Sequence, residues 1–218
     1  MQTKIIAILI IGFLLGDAQA ATLRVKVVDN DGDPIAQAAV YVQSQAPALA
    51  KPTKPKTVII DQMDKEFINH ITIVRTGTPV IFPNHDNIRH HVYSFSEAKN
   101  FELPLYAGTP AKPVVFDKAG VVNLGCNIHD WMSAYILVVD SPFFTLTNKQ
   151  GIAELDLPDG HDYVLTAWHP QLKSLTPESL NIAANASHTN ELGLSMRLKR
   201  NARAIRLPTE LGLNIGYR

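Results

Sequence analysis

The chain has 218 residues, of which 46% are hydrophobic, so it is long enough to bury a sizeable core in one or two domains. Lysine plus arginine number 20, and aspartate plus glutamate also number 20. This balance gives no electrostatic reason to expect nucleic acid or a charged membrane surface as a partner, and we expect no nucleic acid.

The N-terminus has the pattern of a secretory signal peptide. Lys4 precedes an apolar run over residues 5–15, and Ala18-Gln19-Ala20 is a small-x-small cleavage sequence. The run is too short to span a bilayer. The sequence therefore predicts a signal peptide over residues 1–20, a mature start near Ala21, a periplasmic location and no membrane span after cleavage.

Residues 21–43 predict two short strands. Leu23, Val25 and Val27 alternate with polar residues, a turn cluster occupies residues 29–34, and a second strand follows at 39–42. This arrangement resembles the opening of the carboxypeptidase regulatory-like β-sandwich, in which a strand, an Asp-x-x-Gly-x-Pro turn and a strand of small residues follow one another. The rest of such a module is missing from the next hundred residues.

The middle of the chain predicts a β-sandwich. Residues 44–56 are rich in Ala, Pro and Lys and have the composition of a linker. From residue 57 onward, short apolar segments alternate with Gly and Pro turns, which is typical of a sandwich. The seven predicted strands lie at residues 58–60, 71–74, 80–82, 91–95, 114–116, 121–124 and 134–139.

After residue 142 the missing half of the regulatory-like module is found. Strands are predicted at residues 143–147, 153–157 and 163–168, and residues 192–198 could close the sheet. We therefore expect a second, discontinuous β-sandwich made of residues 21–43 and 143–198, with residues 57–140 inserted into it. Residues 199–218 are expected to form a tail.

One stretch of the middle segment carries metal-binding chemistry. Cys126, His129 and Met132 place a thiolate, an imidazole and a thioether within seven positions, and these ligand types select copper over magnesium or calcium. Because apolar segments flank the stretch, we expect Cys126 at the end of a strand and the other two on the following loop. A lone Cys can also be an inert buried thiol or a nucleophile, but its two neighbours favour a metal ligand.

The spacing Cys-x2-His-x2-Met resembles the ligand loop of the cupredoxins, the small blue copper proteins, and within them the amicyanin and plastocyanin type. Family sites take a second His from an earlier strand, inside a motif similar to Asn-x-Asp followed by His, and residues 84–94 fit this. The resemblance covers about residues 58–140. It implies a cupredoxin-like Greek-key β-sandwich with one type 1 copper ion held by His90, Cys126, His129 and a weak axial Met132.

Two adjacent histidines compete for the second ligand position. Neighbouring residues on a strand face opposite sides, so only one of His90 and His91 can point inward, and the apolar alternation does not decide between them. The resemblance implies His90, because the family places the ligand first. His91 then stands where the family usually has a hydrogen-bonding Asn, from which it could bridge to the Cys loop.

The remaining polar and aromatic residues receive simpler interpretations. We expect Asn84 and Asp86 to be turn formers and His85 to be a surface residue. Trp131 is expected to shield the ligand loop, although it could instead offer an apolar patch to a partner. Four further histidines are expected at ordinary surface or turn positions: His70, His161, His169 and His188.

The resemblance implies an exported electron carrier between redox protein partners, with no enzymatic activity. Two other functions use the same residues or none of them. The protein could be a copper carrier or sensor without electron transfer, or a structural β-sandwich in which the Cys, His and Met are incidental. A dinuclear oxidase centre is excluded, because it needs two cysteines and the chain has one.

Overall fold

The computed structural model describes residues 20–44, 54–158, 161–173, 177–182 and 192–199. All the regular secondary structure in these ranges consists of β-strands, so the predicted all-β class is confirmed. Residues 1–19 of the predicted signal peptide, most of the linker and residues 200–218 of the predicted tail lie outside the described residues. In the described ranges no helix has the length and hydropathy that a membrane span requires.

The strands follow one another along the chain without intervening helices in the described ranges. In order they are β1 (Ala20–Asp29), β2 (Ala39–Ser44), β3 (Val58–Ile59), β4 (Gln62–Met63), β5 (Glu66–Phe67), β6 (Ile71–Arg75), β7 (Thr78–Ile81), β8 (His90–Ser96), β9 (Lys99–Tyr106), β10 (Val114–Phe116), β11 (Gly120–Cys126), β12 (His129–Val139), β13 (Phe144–Leu146), β14 (Ile152–Pro158), β15 (Tyr163–Trp168), β16 (Glu178–Ile182) and β17 (Leu192–Met196).

The two N-terminal strands pair with strands from the end of the described chain. Strand β1 is antiparallel to β14 and parallel to β17. Strand β2 lies between β13 and β15, and β16 completes that sheet. Ser141 strengthens the junction, because its hydroxyl donates to the Val42 carbonyl and accepts from the Phe143 amide at 3.0 Å.

The strands between β2 and β13 form sheets of their own. Strand β7 pairs with β3 and β10, and a five-stranded sheet has the order β6-β12-β11-β8-β9. A separate hairpin joins β4 to β5. The sequence predicted seven of these strands and missed β4, β5 and β9.

The missed strand β9 contains Pro104, which argues against a strand in sequence-based reasoning because proline cannot donate to a sheet ladder. In the structure β9 is an edge strand of its sheet, where proline is tolerated. The pairing with β8 also shifts register at this point, since His90 lies opposite Tyr106 but Val92 lies opposite Leu103. The proline therefore occupies a bulge at a sheet edge.

Strand β6 and residues 136–139 of β12 are buried on both faces of the five-stranded sheet. Ile71 and Ile73 of β6, with Leu137 and Val139 of β12, pack into the core formed by the outer strands β1, β2, β14 and β15. The alternate residues of β12, such as Ile136, pack instead into the core that contains Cys126. Burial on both faces explains why residues 134–139 are apolar without alternation. The division into two domains stays a prediction, since the two sandwiches share this sheet.

Candidate metal centre

A bulged hairpin between β11 and β12 carries the predicted ligand stretch. Strand β11 ends at Cys126 and β12 begins at His129, so only Asn127 and Ile128 separate them. Gly125 lies opposite Ser133, yet Cys126 lies opposite His129, so residues 130–132 bulge out of the ladder. The loop expected from the sequence is therefore a short turn followed by a bulge in β12. In the bulge, successive side chains do not alternate regularly between the two faces of the sheet.

The structure brings His90, Cys126 and His129 together. His90 begins β8, the strand that lies beside β11, and its side chain is fully buried. The Cys126 Sγ atom is 3.8 Å from His90 Nδ1 and 3.7 Å from His129 Nδ1. One possible ligand atom from each of the three residues lies within 4.8 Å of the other two.

These separations fit one ion shared by all three side chains. With the bond lengths of a zinc-sized ion, about 2.3 Å to sulfur and about 2.1 Å to nitrogen, the observed sulfur–nitrogen distances correspond to S–metal–N angles of roughly 115–120°. Such angles are those of a trigonal His2Cys site, the arrangement that blue copper proteins use. The donor set and its geometry therefore fit copper.

The second ring nitrogen of His90 is held by a carboxylate. Asp86 Oδ2 is 2.6 Å from His90 Nε2, which leaves Nδ1 facing Cys126. The expectation that Asp86 is only a turn former is wrong, because its oxygens also accept from the backbone amides of Asp64 and Lys65 at 2.7 and 2.9 Å. Burial opposes ionisation of Asp86, but these hydrogen bonds outweigh it and lower the pKa of the carboxyl.

Asn84 behaves as the sequence predicted. Its side-chain oxygen accepts from the Asp86 amide at 2.9 Å, as in an Asx turn, and its Nδ2 donates to the Ile88 carbonyl at 2.8 Å. These contacts stabilise the turn that leads into β8. The position of this turn sets the position of Asp86 relative to His90.

His91 faces the opposite side of the sheet. Its Nε2 is 2.9 Å from Glu102 Oε1, and its ring packs edge-on against Tyr93 with centroids 5.9 Å apart. The suggested bridge from His91 to the Cys loop is therefore wrong. Strand alternation places only His90 on the Cys126 side, as the resemblance implied.

Met132 and His129 differ in exposure. Met132 is 2% exposed and packs in the same apolar cluster as Cys126, so it lies on the core side of the bulge, and its role as axial ligand stays a prediction. His129 is half-buried. Partial desolvation, followed by electrostatic interactions with His90 and Lys65, lowers the pKa of His129 and favours the neutral ring that can donate a lone pair.

Trp131 lies on the surface beside His129. Its side chain is 55% exposed, and the two ring centroids are 5.2 Å apart. Ile128, on the other side of His129 in the sequence, is 47% exposed. The contact with His129 agrees with the expected shielding, and the exposed part of the Trp131 ring leaves the alternative, an apolar surface for a partner, as a prediction. Ile128 and Trp131 are thus two exposed apolar side chains on either side of the half-buried His129 in the sequence.

Most of the other histidines lie apart from this centre. His85 is exposed as predicted, and its Nδ1 is 2.8 Å from Asp61 Oδ1. His169 is buried rather than on the surface, but it begins a turn, since its carbonyl accepts from the Leu172 amide at 3.0 Å. Burial, followed by the interaction with His70, lowers the pKa of His169 to about 4. His161 is half-buried with its ring centroid 6.5 Å from that of Tyr163, and His188 lies outside the described residues.

No protein-family model matches the chain, and no curated protein matches it. Solved structures do match part of it. A reduced Cu(I) form of an amicyanin variant at pH 4 is 17% identical over 45% of this chain and 97% of its own, with a TM-score of 0.35. A second Cu(I) amicyanin variant has the same identity and coverage, with a TM-score of 0.36.

A copper-containing nitrite reductase from Thermus scotoductus is 24% identical over 44% of this chain, with a TM-score of 0.36. The match covers 25% of the reductase chain. At such TM-scores these likenesses carry no weight in assigning a function. The assignment rests on the side chains described above.

Proposed function

We propose that the protein is a periplasmic electron carrier with one type 1 copper ion, which His90, Cys126, His129 and Met132 would hold. The observation that carries the proposal is the pair of distances, 3.8 and 3.7 Å, from the Cys126 sulfur to the two histidine Nδ1 atoms. Bound copper would supply the Cu(II)/Cu(I) couple. No substrate reaction is required, so the proposal does not include enzymatic activity.

The protein side of electron transfer is a matter of rigidity and access. Cys126 and His90 lie in adjacent paired strands, and both side chains are buried, so the donor atoms need little rearrangement between oxidation states. His129 is the most exposed of the three, its ring lies beside that of Trp131, and the side chains of Trp131 and Ile128 are both largely exposed. We propose that a redox protein partner docks there through a small interface of about 1,200 Å² or less.

Replacing each adjacent histidine separately tests the ligand set. We expect His90→Ala to weaken Cu(II) binding by more than about 100-fold, because it removes an atom that binds the metal directly. Losing a residue that only hydrogen-bonds to a metal ligand usually costs less. His91→Ala serves as the matched control, since it removes an equal side chain from the other face of β8. It should keep one copper per chain. Isothermal titration calorimetry with visible absorption measures both variants.

Equal retention of copper by the two variants would show that His90 is not a ligand. Loss of copper only in His91→Ala would mean that the wrong face of the strand had been assigned. Either result overturns the proposed ligand set, because His90 would then not be the buried histidine that binds the metal together with Cys126.

A further inference from the structure

The proposed copper site has a backbone support that lies far from it in sequence. The carboxylate of Asp86, whose side chain is 11% exposed, is held by the amides of Asp64 and Lys65 in the turn between β4 and β5. Asp86 is 22 residues from Asp64 in sequence. The same carboxylate contacts His90 at 2.6 Å, so one group joins the hairpin turn to the buried histidine.

The turn adopts a conformation that suits this contact. Asp64 and Lys65 both have positive φ, at 54° and 60°, as in a type I′ hairpin turn, although neither is glycine. Left-handed backbone at non-glycine residues is uncommon and persists where surrounding contacts determine it. Here the two successive amides converge on one carboxylate, which provides such a contact.

The hairpin itself is anchored in the core. The Gln62 side chain is fully buried, and its Nε2 donates to Tyr106 Oη at 2.5 Å and to the Phe82 carbonyl at 3.1 Å. Tyr106 Oη also donates to the Phe82 carbonyl at 2.7 Å. Burial raises the pKa of Tyr106 to about 12, so the phenol stays a hydrogen-bond donor at neutral pH. Buried hydrogen bonds thus hold the hairpin that carries the turn amides.

We propose that Asp86, oriented by the left-handed turn at Asp64 and Lys65, is a positioning residue that sets the tautomer of His90 and shifts copper toward the Cu(II) state. This inference rests on the proposed copper function for its effect on the metal. The tautomer can be measured on the metal-free protein, because the three contacts of the carboxylate are all to groups of the protein itself.

The chemistry follows from the proton between Asp86 and His90. A carboxylate only accepts, so His90 carries its proton on Nε2 and presents the lone pair of Nδ1 toward Cys126. Sharing that proton with a negative oxygen makes the imidazole a stronger electron-pair donor to the metal. A stronger donor stabilises the doubly charged ion more than the singly charged one, which lowers the potential of the couple.

Asp86→Asn tests the effect on the metal, because it removes the charge and keeps the shape. We expect Cu(II) affinity to fall about 10- to 100-fold, with Cu(I) affinity falling less. A tenfold difference between the two losses raises the potential by about 59 mV. Asp61→Asn is the matched control: Asp61 also contacts a histidine, His85, but that pair is not part of the site, so it should leave the potential unchanged.

A second measurement does not depend on bound copper or on a correctly folded variant. In metal-free wild-type protein labelled with nitrogen-15, the His90 ring should be the Nε2–H tautomer. A ring protonated on Nδ1 overturns the proposal. If the tautomer is as expected, an unchanged potential in Asp86→Asn overturns the effect on copper. A protein that takes up no copper removes the proposed function, whereas the positioning role is still decided by the metal-free spectrum.

Discussion

Replacing Cys126 by alanine is expected to abolish the visible colour of the copper-loaded protein. The colour comes from a visible absorption band in which charge is transferred from the thiolate to Cu(II). The described residues contain no other free cysteine. The sulfur also lies within 3.8 Å of both histidine nitrogens, so its loss removes one of the three donor atoms that the structure brings together. We expect copper affinity to fall by more than about 100-fold, which exceeds the usual effect of losing an outer partner.

The control for this variant is its fold. Cys126 is 4% exposed, and alanine is smaller, so some loss of stability is expected from the lost packing alone. Circular dichroism should therefore confirm the β structure of Cys126→Ala before copper is added. A folded variant that keeps both the band and one copper per chain would refute the thiolate assignment.

Replacing Ile71 by alanine is expected to destabilise the whole described fold by about 2–5 kcal/mol, measured by urea unfolding. Ile71 is fully buried in β6, within the core that the outer strands share with the five-stranded sheet. Since this core belongs to both sandwiches, we expect one cooperative transition in which tryptophan fluorescence and circular dichroism coincide.

Ile59→Ala is the matched control, because Ile59 is 58% exposed and the same atoms are removed. It should change stability by no more than about 0.5 kcal/mol. Two separate transitions, with Ile71→Ala shifting only one of them, would mean that the two sandwiches fold independently. That outcome would favour the inserted-domain prediction in its simplest form.

The sequence predicted those strands that bury regular apolar patterns. Strand β14 alternates buried and exposed residues, and β12 carries an unbroken apolar run over residues 136–139, where both its faces are covered. Strand β16 was missed because three of its five residues are exposed at the edge of a sheet. Edge strands bury too few side chains to leave a clear pattern.

The site was predictable where its residues are close in sequence. Cys126 and His129 are three residues apart, and their chemistry is visible in that spacing alone. The choice of His90 required the resemblance to cupredoxins. The support from Asp86 was not predictable, because it joins side chains and turn amides that are about 20 residues apart and has no local sequence pattern.

The most direct test of the proposed function is the titration of the metal-free wild-type protein with Cu(II), followed by visible absorption during one cycle of reduction and reoxidation. We predict one copper per chain, an intense thiolate-to-copper band, and reversible loss and return of that band. A protein that binds no copper, or that gives only a weak band and releases the metal on reduction, would contradict an electron carrier and would favour a copper carrier or a structural role.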